Sequence, residues 1–198
     1  MRLPVTALAA SLLASTAAQA ITFTYYTDRS SFEAALGTLT TETFDTGAPT
    51  ASGLSITGNA VTYQDSLMRD RLDAETGAFT TFSFGSGLIG FGADFDLPGP
   101  GGTGSGIIAS VFSDVWTDLP QQIPNTTQGF LGVIADEAFT QVMFREGTQG
   151  GAAETYTLDN LTFSFAAPPP PAPVPLPAGL PLLAGALAAA GLVSRRRG

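Results

Sequence analysis

The side chains able to do chemistry in this sequence are almost all carboxylates. Between Ile21 and Phe165 lie seventeen Asp and Glu against four Arg (Arg29, Arg69, Arg71 and Arg145), a formal balance of −13, and His, Cys and Lys are absent from the whole sequence. No Ser-His-Asp or Cys-His nucleophile can be assembled from such a set, no Schiff-base lysine exists, and no zinc site of the usual His/Cys kind is available. The chemistry left to the chain is cation binding by oxygen, recognition of hydroxyl-rich molecules, or acid–base work by paired carboxylates. Asp94 and Asp96 fall two residues apart, so on a strand they share one face, where a cation between them or plain solvent would relieve their repulsion. Trp116, the single tryptophan, sits in Asp114-Val115-Trp116-Thr117-Asp118. Its indole either stacks on a sugar ring with carboxylates at the rim or fills a core. A body this acidic is repelled by phosphate backbones, which disfavours nucleic acid as a partner.

Those groups need elements to hold them. Ser30-Ser31-Phe32-Glu33 fits a capping box, Phe32, Ala35 and Leu36 fall on one helical face, and Gly37 stands where a C-terminal cap would. A helix of about two turns, lying against one end of a sheet, is predicted. Beyond it the period becomes two. Ile89, Phe91, Ala93 and Phe95 alternate with Gly90, Gly92, Asp94 and Asp96, one apolar face and one small or acidic face. Further strands are predicted at Thr41 to Asp45, Leu54 to Ile56, Ala60 to Tyr63, Ala78 to Phe84, Ile107 to Trp116, Gly129 to Ile134, Phe139 to Arg145, Tyr156 to Leu158 and Leu161 to Phe165. Many short strands with one brief helix indicate an all-β protein, an antiparallel β-sandwich. The stretch Pro98 to Gly106 lacks the Lys and the following helix of a phosphate loop and reads as a mobile connection.

The ends have a different composition. Arg2, the apolar Leu3 to Ala14 and the small-x-small Ala18-Gln19-Ala20 make residues 1–20 a signal peptide, cleaved after Ala20. Residues 21–165 are then one domain of ordinary size. Residues 166–173 form a Pro-rich spacer. Val174 to Val193 carries no charge and is long enough for a transmembrane helix, and Arg195-Arg196-Arg197 after it sets the domain outside the cytoplasm.

Val174-Pro175-Leu176-Pro177-Ala178, the apolar run and the arginine cluster together resemble the VPLPA variant of PEP-CTERM sorting signals. That resemblance implies an exosortase-type membrane protease as partner, recognition through Val174 to Ala178 together with Arg195, Arg196 and Arg197, and processing of the tail after export. It places the domain first in the periplasm, anchored to the inner membrane, and finally in the cell envelope, at the outer surface or in the extracellular matrix. The Pro-Glu-Pro hallmark is replaced here by Pro175-Leu176-Pro177.

Phe130 to Asp136, the strand from Phe139 to Phe144 and the closing Tyr156 to Phe163 look like the last strands of jelly-roll domains and of carbohydrate-binding modules. What this implies is a structural calcium ion shared by Glu42, Asp45 and Asp159, with a turn at Asp159-Asn160 as the plainer reading of that pair. The expected function is that of a non-enzymatic, exported surface protein associating with extracellular polysaccharide. A purely structural surface protein and a carboxylate-dependent glycoside hydrolase are the alternatives.

Overall fold

The computed structural model describes residues 21–102 and 104–167. The signal peptide and the sorting tail, including Val174 to Ala178 and Arg195 to Arg197, lie outside the described residues. Among the described residues, no helix is long and apolar enough to cross a membrane.

Alternating apolar side chains build the strands, as expected. In chain order the elements are β1 (Phe23–Tyr26), α1 (Arg29–Leu36), β2 (Thr40–Glu42), β3 (Leu54–Thr57), β4 (Thr62–Gln64), β5 (Leu67–Leu72), β6 (Thr80–Asp96), α2 (Pro98–Gly101), β7 (Ile107–Phe112), β8 (Trp116–Asp118), β9 (Gln128–Glu146) and β10 (Glu154–Phe165). Every pairing is antiparallel.

Two pairs of predicted strands are in fact single long ones. Ala78 to Phe84 and Ile89 to Phe95 merge into β6, and Gly129 to Ile134 and Phe139 to Arg145 into β9. Their ladder is irregular between Ser83 and Gly90, and there each long strand passes from one layer to the other. Sheet I consists of β3, the first half of β6, the second half of β9, β7 and β8. Sheet II consists of β4, β5, β10, the second half of β6, the first half of β9 and β1, with β2 also on β10.

The layers face each other through aromatic rings. Phe82 and Phe144 of sheet I meet Phe91 of sheet II at centroid distances of 5.3 and 5.9 Å, Phe144 meets Tyr156 at 5.8 Å, and Phe84 meets Phe163 at 5.1 Å. Most of these contacts are edge-on or tilted, which ring quadrupoles favour over a face-to-face sandwich. The all-β, antiparallel sandwich predicted from the period-two pattern is the observed class.

The helix differs from expectation at its start and in its seat. Its N-cap is Asp28, whose Oδ1 accepts the Ser31 backbone N–H at 2.8 Å, rather than Ser30. It lies across the outer face of sheet II, where Phe32 is fully buried between Tyr26 and Phe130. Glycines make that approach possible. A Cβ on Gly132 would come within 2.7 Å of the Phe32 ring, and one on Gly90 within 2.5 Å of Leu36. The small residues on the outward side of β6 are thus a bed for α1.

The stretch read as a connection, Pro98 to Gly106, is half-buried to exposed in its first half and buried at its end. It opens with the turn of α2 and ends with Ser105 and Gly106 buried, the Gly106 N–H donating to Glu154.

Candidate functional site

Ile107 to Trp116 was expected as one strand and is instead a hairpin. After Phe112 the chain turns through Ser113, Asp114 and Val115, and β8 returns antiparallel along β7, pairing Phe112 with Trp116, Val111 with Thr117 and Ser110 with Asp118. Alternation then sorts the side chains of β7: Ile107, Ala109 and Val111 are buried, whereas Phe112 points to the outer face of sheet I. Trp116 takes that outer side with it. Its indole rests on the Phe112 ring at 5.2 Å, is 42% exposed, and has Val115 beside it at 66%. Of the two readings of this tryptophan, core filler and exposed platform, the structure shows the second.

The registers extend that platform across the sheet. Trp116 stands opposite Phe112, Phe112 opposite Gln141, Gln141 opposite Ser83, and Ser83 opposite Ser55. Four inter-strand steps make a row roughly 19 Å long. Beside it runs a second row: Asp118, Ser110, Met143, Thr81 and Thr57. Asp118 is fixed from two sides, by the Ser110 hydroxyl at 2.7 Å and by an ion pair with Arg145. The face therefore offers an aromatic pair at one end and oriented hydroxyl, amide, carboxylate and guanidinium groups beyond it. Such a set suits a flat molecule with apolar ring faces and hydroxyl edges.

The residues expected to share calcium are placed differently. Glu42 is 3% exposed, and its carboxylate is taken up by the chain itself: Oε1 accepts the Phe44 N–H at 3.0 Å, and Oε2 those of Thr50 at 2.6 Å and Ala51 at 2.7 Å. Asp45 accepts from the Thr43 hydroxyl at 2.7 Å. Asp159 accepts from the backbone and side-chain nitrogens of Asn160. Burial raises the Asp159 carboxyl above its ordinary value, with the charges of Asp94 and Asp45 adding to the rise. Asp45 and Asp159 are thus electrostatic neighbours, while Glu42 is committed to its loop. Among the described residues no group of three or more acidic side chains is disposed to hold a metal ion.

The cation that this corner contains is Arg29, from the first turn of α1. Its Nη2 lies 2.9 Å from Asp94 Oδ2 and donates to the Asn160 carbonyl at 3.1 Å, and its Nη1 donates to Thr162 Oγ1 at 2.7 Å. The guanidinium carbon stands 4.6 Å from the Phe130 ring centroid, a cation–π contact. Asn160 turns its carbonyl to the arginine by adopting φ 48° at a bulge in β10. Asp96, the other half of the expected pair, accepts the Gly99 N–H at 2.9 Å and so ties down α2. Sequence reasoning passed over Arg29; its position one residue after a capping aspartate was the available signal.

One carboxylate is left incompletely used. Glu154 is fully buried, and its Oε1 has no hydrogen-bond partner among the described residues, while Oε2 accepts from Gly106. Burial pushes this carboxyl above the ordinary glutamate value of 4.5, against the opposing pull of the Gly106 and Thr155 amides. A raised native value means that the folded state holds the proton longer than the unfolded one. Its favourable contribution is complete below the ordinary value and is lost as pH climbs through the native one. Glu154→Gln should therefore flatten the fall of stability with rising pH in that window, read as guanidinium midpoints from pH 4 to pH 8. An unchanged slope would mean that Glu154 titrates as a solvated side chain does.

No family model and no curated protein matches this chain. Among solved structures it is similar to variants of a family 29 carbohydrate binding module. One shares 16% identity at a TM-score of 0.49, covering 67% of this chain and 99% of the module. Others are complexed with cellulohexaose (15% identity, TM-score 0.48, 64% of this chain and 89% of the module) and with mannohexaose (14%, 0.47, 64% and 90%).

Proposed function

We propose that this is an exported, exosortase-sorted surface protein whose β-sandwich associates without catalysis with extracellular polysaccharide, through the outer face of sheet I. The observation that carries the reading is the exposed Trp116, tilted against the half-buried Phe112 at the end of a row of polar side chains. An apolar ring pair of this size left in water is costly unless something covers it. A pyranose covers it well, since its axial C–H face is apolar and its equatorial hydroxyls reach the flanking groups. The signal-like N-terminus and the VPLPA-type tail support a destination where polysaccharide is present.

The test is retention of the full-length protein on immobilised acidic and neutral bacterial exopolysaccharides, with Trp116→Ala beside it. The wild type should be retained and the variant should bind at least about tenfold more weakly, the usual loss at a central aromatic contact. Because Trp116 is half exposed, the variant should unfold within a few degrees of the wild type. Equal retention of the two proteins, or none by either, would overturn the reading; the second result returns the weight to a purely structural surface role.

A further inference from the structure

Where β1 of sheet II faces β7 and the second half of β9 in sheet I, the interior of the sandwich is not filled. A cavity of about 120 Å³ lies there, with Phe91, Phe95 and Phe144 at its inner end, Val111, Leu131 and Val142 on its walls, and the segment from Leu119 to Pro124 as its cover. Protein interiors are normally packed as densely as organic crystals and hold few voids larger than a water molecule. A void with such walls stays dry, because water inside it would find no polar partners.

At the outer end the chemistry changes. Tyr25 reaches the rim, where its hydroxyl oxygen accepts the Gln121 backbone N–H at 3.4 Å, with exposed Thr27 and Gln121 at the opening. That bond leaves the phenol proton free to donate. Burial also raises the Tyr25 phenol above its ordinary value, so it keeps this proton at any physiological pH.

We propose that this cavity is a binding site for a small apolar molecule, a single ring or a short branched chain, whose one hydrogen-bond acceptor is held by the Tyr25 hydroxyl. The volume is that of one ring, well short of the several hundred cubic ångströms that a nucleotide or an oligosaccharide needs. The walls exclude sugars as well, whose hydroxyls would be buried without partners. The site is independent of the polysaccharide face, although the two share β7. Val111 points into the cavity and its neighbour Phe112 out to the platform.

Anisole and toluene are suitable probes, being rings of the same width with and without an acceptor oxygen. Calorimetric unfolding of the full-length protein should show a rise in Tm of about 4 °C or more with anisole at roughly thirty times its Kd, with toluene weaker. Tyr25→Phe should abolish the preference for anisole while keeping the toluene response. Ala109→Leu, which fills the cavity from sheet I, should abolish the response to both probes. Crystals of the wild type pressurised with xenon give a second reading that does not depend on the variant folding, with a xenon atom expected in the cavity, against the Phe91 and Phe144 rings. The proposal is overturned if neither probe raises Tm, if Ala109→Leu responds as the wild type does, or if xenon leaves the cavity empty; an anisole preference that survives Tyr25→Phe overturns the assignment of the acceptor.

Discussion

Phe144→Ala is expected to remove about 3–5 kcal/mol of folding free energy, the upper range for truncation of a buried aromatic. The ring is 1% exposed and stands among four others: Phe82 at 5.1 Å, Tyr156 at 5.8 Å, and Phe91 and Phe95 at 5.9 Å each. Three of these belong to the opposite sheet, so its loss weakens the contact between layers rather than a single strand. Phe144 also walls the existing cavity, so the space its ring leaves is added to that void, and every surrounding atom that would have touched the ring loses its dispersion partner. Guanidinium unfolding of the two proteins checks this. A loss below about 1.5 kcal/mol would show that the sheets close over the gap, since the cost at such sites depends on how far they collapse. Phe165→Ala, at the partly exposed end of β10, is the comparison and should lose markedly less.

Glu42→Ala should lose about 3 kcal/mol, for a different reason. The carboxylate gathers three backbone N–H groups that no other acceptor serves, closing the segment from Phe44 to Ala51 onto the end of β2. Removing it strands the buried Phe44 N–H and loosens the part-buried amides of Thr50 and Ala51, and a buried unsatisfied donor costs about 1–3 kcal/mol. The loss should be the same in calcium and in EDTA, because the oxygens hold backbone amides. A difference between the two media would restore Glu42 to a metal site. The pH dependence follows as well. Burial alone would raise the Glu42 carboxyl, but the amides of Ala51, Phe44 and Thr50 outweigh it and hold the value below that of an ordinary glutamate. Its contribution is therefore present above the ordinary value and disappears as pH falls through the lower native one, the reverse of Glu154. Wild-type protein should lose stability in that acid window more steeply than Glu42→Gln.

The parts of the fold that could be read from the sequence are those set by nearest-neighbour patterning. Ile89 to Phe95 alternates so regularly that no other assignment competes, and Phe32, Leu36 and Gly37 mark a helix and its end. What escaped depends on residues far apart in the chain. β5 was missed because Arg69, Asp70 and Arg71 interrupt its apolar pattern. Asp70 nevertheless points inward, 1% exposed, accepting the Thr80 hydroxyl at 2.6 Å, while Thr80 in turn accepts from Tyr156 at 2.8 Å. A buried carboxylate satisfied by a hydroxyl of another strand and by the Ala60 N–H of the turn before β4 has no local signature. The merging of β6 and of β9 escaped for a related reason. The glycines Gly85 and Gly87 look like strand breakers locally, and only the two-layer arrangement shows that they bend one strand across both sheets.

The candidate site divides in the same way. Trp116 was visible by its rarity and its acidic neighbours, but its exposure and its contact with Phe112 follow from the hairpin, and Gln141 and Arg145 join it only through the pairing of β7 with β9. The carboxylates expected to coordinate calcium were singled out by type and rough position. Type cannot distinguish an oxygen waiting for a metal from one already holding the backbone, and Glu42 is of the second kind.

The order in which the strands pair also constrains when this chain can fold. β1 finds its neighbour in Tyr25↔Val133, and β2 in Glu42↔Leu161, each more than a hundred residues downstream. The first three elements to leave the ribosome, β1, α1 and β2, thus have nothing to dock on until β9 and β10 have been made. Closing loops of that length precedes any contact that rewards it, which slows collapse into the native topology. Local hairpins such as β4–β5 and β7–β8 can form as the chain grows, but its sandwich can close only once the segment before the proline spacer has emerged.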